Sequence, residues 1–147
     1  MKIEEIKKDR INELHDLLAE LSAHHNAVSA DFKGDFPRHP IGDVLKNFAE
    51  SLDEGTSHIA AALEGDRIAG FCKADISEDK GKIDYLIVSE KDRGKGLGKQ
   101  LMDWAMKVFS DSNVHSLEVK VVYGNDAVRI YEKYGFRTES LLMRRHI

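Results

Sequence analysis

Apolar residues recur at helical spacing in three stretches of the chain. They follow one another every three to four residues, which is typical of helices with one buried face. The first stretch predicts a helix over residues 9–23, and the other two begin at Ile41 and Leu97. The apolar positions are Ile11, Leu14, Leu17, Leu18 and Leu21 in the first, Ile41, Val44, Leu45, Phe48 and Leu52 in the second, and Leu97, Leu101, Trp104, Ala105 and Val108 in the third.

Short apolar runs bounded by turn residues predict strands. Two of these runs flank the tight turn Gly65-Asp66 and indicate a hairpin, and a third ends at Val88. A short helix over 126–134 ends at Gly135, a residue that favours helix termination. The predicted strands are 2–6, 58–64, 67–76, 82–88, 115–122 and 136–146, the last being a single strand or a bulged pair.

The order of these elements predicts the topology. The helices come first, then an antiparallel hairpin and a third strand, and then a β-loop-α-β unit that implies a parallel pair joined by a right-handed crossover. The fold class is therefore α/β (α+β), with a mixed and mostly antiparallel sheet, one parallel pair and flanking helices. Because no repeat or linker interrupts the chain, we expect one domain over 1–147.

Alternation along the predicted strand 82–88 gives it two faces, since successive strand residues point to opposite sides. One face would carry Lys82, Asp84, Leu86 and Val88, and the other Ile83, Tyr85 and Ile87.

The stretch 22–40 has no steady period and contains both prolines, so we expect a long loop of the kind that often carries function. The adjacent His24 and His25 lie in it and would face solvent or substrate. No cysteine or glutamate completes a set of ligands around them at metal spacing, so no metal site is predicted.

Composition narrows the class of protein. The chain has 147 residues, a formal charge of −4, 41% hydrophobic and 33% charged residues, which excludes a disordered, collagenous or disulfide-stapled chain. Cys72 is the only cysteine, so no intrachain disulfide forms, and we expect a reducing, cytoplasmic setting. No apolar run approaches the ~20 residues of a membrane span. The slightly acidic balance argues against a nucleic-acid partner.

The segment from Val88 to Leu101 carries the clearest chemical signal. Gly94, Gly96 and Gly98 alternate between a strand end and a helix start, where successive N–H groups form an anion site. Arg93 and Lys95 add positive charge. A dinucleotide fingerprint would need a third glycine where Lys99 stands, and a Walker loop is absent too.

Two motifs together carry a resemblance to a known family. Arg93 to Gly98 reads R-x-x-G-x-G after a strand of the form hydrophobic-x-x-Leu-x-Val, and 123–136 reads YGNDAVRIYEKYGF. This pair resembles the signatures of the GNAT superfamily of acetyl-CoA-dependent N-acetyltransferases, in the same order. One spacing departs from the family, because Asn125 lies two residues before Ala127 rather than three.

The resemblance implies a mechanism without a metal ion or a covalent enzyme intermediate. Acetyl-CoA would lie in a V-shaped gap where the strand ending at Val88 parts from 116–122, and a primary amine would attack it directly in a ternary complex. A backbone N–H near Val88 would polarise the thioester. The residues implied for acetyl-CoA binding are Leu86, Ile87, Val88, Arg93, Gly94, Lys95, Gly96, Leu97, Gly98, Lys99, Asn125 and Tyr131.

Two proton transfers complete the implied reaction. Tyr131 matches the family position of the acid that protonates the leaving thiolate. For the base, Asp84 is the first choice and Glu118 the second, and a water chain could relay the proton instead. Cys72 is interpreted as a packing residue.

The acceptor amine is left open between a small cationic amine and a protein amine. A non-catalytic acyl-CoA sensor of the same fold is the alternative function. No membrane partner is expected. Homodimers are common in the family, and no sequence feature decides that point.

Overall fold

The fold, described here from a computed structural model of all 147 residues, is built on a five-stranded sheet in the order β1-β2-β3-β4-β5. Strands β1 to β4 pair antiparallel, and β5 pairs parallel with β4. The predicted mixed sheet with one parallel pair is therefore confirmed. The strands are β1 (Lys2–Glu5), β2 (Ser57–Glu64), β3 (Arg67–Ser77), β4 (Lys80–Val88) and β5 (Ser116–Val119), and the helices are α1 (His15–Val28), α2 (Ile41–Asp53), α3 (Leu97–Asp111) and α4 (Val128–Lys133).

Helices cover both faces of the sheet, and each face has its own buried cluster. Helices α1 and α2 pack with Phe71 and Ile87 on one side, and α3 packs with Cys72 and Ile83 on the other. We call these the α1/α2 face and the α3 face. No helix of the protein combines the length and the apolar character that crossing a bilayer requires.

Helix α1 differs from the prediction at both ends. Residues Lys8–Leu14 form a 3-10 helix, because Ile11 and Leu14 are buried three residues apart, which is the 3-10 period. The α-helix then continues to Val28, since no glycine or proline interrupts it. The predicted loop over 22–40 is thus wrong in its first part and begins only at Ser29, so His24 and His25 lie on a helix.

Strand β4 contains a β-bulge, and the predicted faces of this strand are therefore wrong in part. Lys73 pairs with Tyr85 and Ala74 with Ile83, so Asp84 is the extra residue. An extra residue breaks the period of two. Asp84 therefore shares the α1/α2 face with Tyr85, as its contact with Lys73 shows. The α3 face instead carries Ile83, Leu86 and Val88.

The parallel pair is held against α3 by close packing at its start. Gly81 lies beneath the ring of Phe109, and a Cβ on this glycine would stand 2.6 Å from that ring and 2.8 Å from the Leu117 side chain. Glycine is therefore the residue that lets β4, β5 and α3 meet at this distance.

The end of the chain differs most from the prediction. Strand β5 stops at Val119 instead of Val122, because its pairing with β4 ends where the bulge redirects β4. The predicted strand over 136–146 is wrong, since no strand of the chain pairs with it, and after Phe136 no backbone N–H donates to another backbone group. Leu141, Leu142 and Met143 are 72–89% exposed there.

Candidate active site

A gap opens between β4 and β5 where their pairing ends. The last paired residues are Ile83 and Val119, and the second half of β4 has a free edge. The N–H of Ser89 donates to β3 (2.8 Å). In an antiparallel ladder, alternate residues face opposite edges, so the N–H groups of Leu86 and Val88 point away from β3 and into the gap.

The loop after β4 is a continuous row of unpaired backbone donors. The N–H groups of residues 94–99 donate to no protein acceptor, and the first intrahelical bond of α3 comes from Gln100 (3.2 Å). Gly94 (φ +82°) and Gly96 (φ +78°) adopt the left-handed conformation that glycine favours. A Cβ at Gly98 would enter open space. The loop thus fits the predicted phosphate cradle.

The loop is anchored by Asp92, a residue that the sequence motifs did not indicate. Its carboxylate is 1% exposed and takes two hydrogen bonds from Arg67 (both 2.9 Å) and one from Lys95 (3.1 Å). The Arg67 hydrogen bonds hold the pKa of Asp92 well below its usual range. This network ties the loop to the β2–β3 hairpin, because Arg67 also pairs with Glu64 (2.5 Å).

The three basic residues predicted for the loop have different surroundings. Lys95 is paired with Asp92, and Lys99 is paired with Asp103 (2.8 Å), so both charges are already balanced. Arg93 is exposed, and its Nε donates weakly to the carbonyl of Val88 (3.4 Å). Of these three residues, Arg93 is the one with no carboxylate partner in the protein.

Two further predicted cofactor residues are buried. Ile87 is 5% exposed in the α1/α2 core, and Leu97 is 2% exposed in the α3 core. Their side chains fix the strand end and the helix start between which the loop runs.

Tyr131 lies on the α3 face, in the same buried cluster as Cys72. Burial raises the pKa of the Tyr131 phenol, which therefore stays protonated at neutral pH. The hydroxyl takes part in no hydrogen bond with the protein, and the ring meets Phe136 edge to face at 6.0 Å. A protonated hydroxyl without a protein partner is free to donate to a ligand.

Asn125 has a local role before α4. Its Oδ1 accepts the N–H of Ala127 (3.0 Å), and its own N–H donates to Val122 (2.9 Å). The side-chain bond supports the turn that leads into α4. The side-chain amide NH₂ of Asn125 donates to no protein acceptor.

The two candidate bases lie on the α1/α2 face. Asp84 Oδ2 is 2.9 Å from the Lys73 ammonium, which also contacts Asp75 (2.7 Å) and is only 6% exposed. Glu118 is exposed and stands beside Lys82 in the parallel register. Tyr131 and the candidate bases thus approach the sheet from opposite faces.

A cleft of about 180 Å³ lies between α1, α2 and the loop that joins them, with Tyr85 of β4 at its floor. Asn26 holds that loop by three hydrogen bonds: its Nδ2 donates to the carbonyl of Phe36 (2.8 Å), and its Oδ1 accepts the N–H groups of Phe36 (3.0 Å) and Gly34 (2.8 Å). His25 lines the cleft, and burial, with a smaller contribution from His24, lowers its pKa. The unsteady pattern of 22–40 indicated a functional region but none of these contacts.

Comparison with known proteins identifies the domain. Residues 19–146 match the profile of the acetyltransferase (GNAT) domain. No curated protein sequence matches the chain.

Solved structures share the fold at low identity. The aminoglycoside N-acetyltransferase AAC(6')-Iy, solved with CoA, has a TM-score of 0.75 and 17% identity over 99% of this chain and 93% of its own. A predicted acetyltransferase from Clostridium acetobutylicum, solved with acetyl-CoA, has a TM-score of 0.76 and 14% identity over 99% and 95%. Glucosamine-6-phosphate N-acetyltransferase from Arabidopsis thaliana has a TM-score of 0.71 and 19% identity over 99% and 97%. Because the domain profile spans most of the sequence, the chain belongs to the GNAT acetyltransferase family.

Proposed function

We propose that this protein is an N-acetyltransferase that moves an acetyl group from acetyl-CoA to a primary amine in a ternary complex. The observation that carries the proposal is the row of unpaired N–H groups at 94–99, which continues from the free edge of β4. A pyrophosphate needs donors of this kind at a helix start. Acetyl-CoA, when bound, supplies the activated acetyl thioester.

The free edge of β4 supplies the stabilisation of charge. In this proposal, the N–H groups of Leu86 and Val88 donate to the thioester oxygen as negative charge develops on it. Losing one such donor typically costs about 3 kcal/mol of transition-state stabilisation. Both groups are positioned by the sheet, so they need no rearrangement during the reaction.

Tyr131 is the proposed acid for the leaving thiolate. Its phenol is protonated, buried and without a hydrogen bond to the protein, which supports this role. A thiol of reference pKa ~8.5 gains the proton readily, so the benefit is expected near the modest end of general acid catalysis.

Asp84 is the proposed base or the anchor of a water relay. An amine of reference pKa ~10.4 must lose a proton before it attacks. The Lys73 ammonium lies 2.9 Å from Oδ2 of Asp84 and occupies that oxygen, which favours a relay through water over direct contact with the amine. Glu118 stays the second candidate.

The test combines binding with turnover. Calorimetry with acetyl-CoA and CoA should show micromolar or tighter binding, and CoA release should rise with added primary amine. Binding without amine-dependent release from any amine tested would favour the alternative, a non-catalytic acyl-CoA sensor. No binding of either compound would overturn both readings of the site.

A further inference from the structure

The cleft on the α1/α2 face has a chemistry that selects among acceptors. Its floor is Tyr85, which lies between Asp84 and Leu86 along β4. An amine lying in the cleft would therefore end beside the candidate base and the thioester site of the proposed function. The choice of acceptor rests on that proposed function.

The volume of the cleft limits the size of the acceptor that it can hold. A volume of about 180 Å³ is below the roughly 300–1,000 Å³ of pockets for drug-sized ligands. The inner walls are apolar and aromatic, with Leu18, Leu21 and Phe36 among the lining residues. A small apolar body fits these walls, whereas a molecule of several polar rings does not.

The charge of the cleft limits the acceptor further. None of its eleven lining residues is a carboxylate, and the charged side chain among them is that of Arg38. A polycationic amine would find no countercharge in the cleft. His25 also lines the cleft, and burial lowers its pKa and favours the uncharged ring, so this ring would not repel a single ammonium group.

Arg38 is held in place by two aromatic rings and by no carboxylate. Its guanidinium stacks over the ring of Phe36 (4.8 Å) and lies 5.8 Å from that of Phe32. Asn26 fixes Phe36 through its backbone. The nearby Asp35 is engaged by His146 (2.6 Å), and Arg38 pairs with no carboxylate of the protein. A positioned arginine with free donors suits a carboxylate or phosphate of a ligand.

We propose that the acceptor is a small amine with an apolar body and one anionic group, and that Arg38 binds this group at the rim while the amine lies at the floor. Acetyl transfer then forms an amide bond at the amine nitrogen and breaks the thioester C–S bond. The amine proton leaves by the base or water relay, and CoA departs as the thiol.

The experiment compares matched acceptors on the wild-type protein. We would measure CoA release with 4-(aminomethyl)benzoate, with benzylamine as its counterpart without the carboxylate, and with spermidine and kanamycin as polycations. The carboxylate should raise kcat/KM about tenfold or more over benzylamine, as expected for a charged hydrogen-bonded contact. Spermidine or kanamycin as the best acceptor would overturn the inference.

Two variants, each lacking one positive charge, test whether Arg38 causes the preference for the carboxylate. Arg38→Gln should raise KM for 4-(aminomethyl)benzoate about tenfold and leave benzylamine unchanged. Lys46→Gln, an exposed residue of α2 with no ion pair, removes the same charge outside the cleft and should change neither. An unchanged preference in Arg38→Gln, with native circular dichroism, would overturn the inference.

Direct binding separates this inference from the proposed function. If no amine is acetylated, calorimetry of 4-(aminomethyl)benzoate with the CoA-loaded protein still tests the cleft. Binding that Arg38→Gln weakens supports the anion site even though the proposed turnover has failed. No binding overturns the inference, and turnover of polycations alone overturns it while the proposed acetyltransferase stands.

Discussion

The two faces of the sheet present their recognition groups in different ways. On the α3 face, the helix start at Leu97 presents backbone N–H groups, and the loop is held from behind by Asp92. On the α1/α2 face, the cleft presents side chains, with Arg38 at the rim and Tyr85 at the floor. A backbone cradle depends on the conformation of a few glycines, whereas a side-chain cleft changes its preference with single substitutions.

This contrast has a consequence for specificity. A backbone cradle binds the phosphate groups of its ligand. It therefore does not depend on which acceptor amine is used. In the proposed function, the cleft would distinguish one amine from another. The following substitutions test whether the two faces can be changed independently.

The largest effect is expected on the α1/α2 face. Asp84→Asn should lower turnover about 10²-fold or more near pH 7, because the amine loses its proton acceptor or relay. Part of the loss should return at high pH, where the amine deprotonates unaided. Rates should be measured by CoA release with saturating acetyl-CoA.

Two matched variants interpret that loss. Asp75→Asn removes the other partner of Lys73 and should be mild, so an equal loss would mean that only the ion pairs of Lys73 matter. If Glu118→Gln is crippling and Asp84→Asn is mild, the base is on β5 instead.

Tyr131→Phe tests the α3 face at the same reaction. It should lower turnover about 10²-fold and leave acetyl-CoA affinity and stability nearly unchanged, because only the hydroxyl is lost and the ring still packs. Single-turnover rates and calorimetry separate the two quantities. A variant with more than half of the wild-type turnover would show that water supplies the proton.

Gly96→Val tests the cradle itself. The left-handed backbone and the added side chain should weaken CoA binding about tenfold or more by calorimetry. Gly55→Val is the control, since Gly55 has nearly the same φ (+76°), also with open space around it, at the end of α2. Equal CoA affinities in the two variants would contradict the phosphate cradle.

Asn26→Ala should loosen the cleft and leave the cradle intact. The loss of its three hydrogen bonds to residues 34 and 36 should cost about 1–3 kcal/mol of unfolding free energy and raise the acceptor KM severalfold. Asn47→Ala, exposed on α2, is the control for amide removal. A fall in CoA affinity would mean that the faces are coupled.

The smallest effect concerns alkaline pH. Burial raises the pKa of Cys72 to about 12, from an ordinary value of about 9. Above about pH 9 the unfolded chain releases this proton and the folded chain keeps it, so stability falls as pH rises. Cys72→Ala should make that fall shallower between pH 9 and 11 in urea titrations. It should persist in part, because burial also raises the pKa of Tyr131 and Tyr85.

The sequence indicated the features of the α3 face better than those of the α1/α2 face. Glycines at fixed spacing are a local signal, so the loop around Gly96 was visible, as was the parallel pair. The anchor Asp92 was missed, because its partner Arg67 comes from a distant hairpin. The bulge at Asp84 was missed as well, since alternation alone gives no sign of an extra residue.

The contacts of the cleft and the structure of residues 136–146 were not predicted, for related reasons. His25 and Tyr85 line the same cleft only because α1 lies over β4, and no local pattern in the sequence indicates that they are close. The predicted strand over 136–146 has suitable residues but no neighbouring strand, and a strand needs a partner for its backbone.

Gly81 determines the order in which substitutions around it can be tolerated. A Cβ at position 81 would collide with the Phe109 ring and with the Leu117 side chain, so smaller residues at 109 and 117 would have to come before the loss of this glycine. The reverse order would pass through a variant with a steric clash where β4, β5 and α3 meet. A mutational library that varies single positions would therefore report substitutions at 81 as unfavourable, and a library that varies 81, 109 and 117 together would reveal the alternatives.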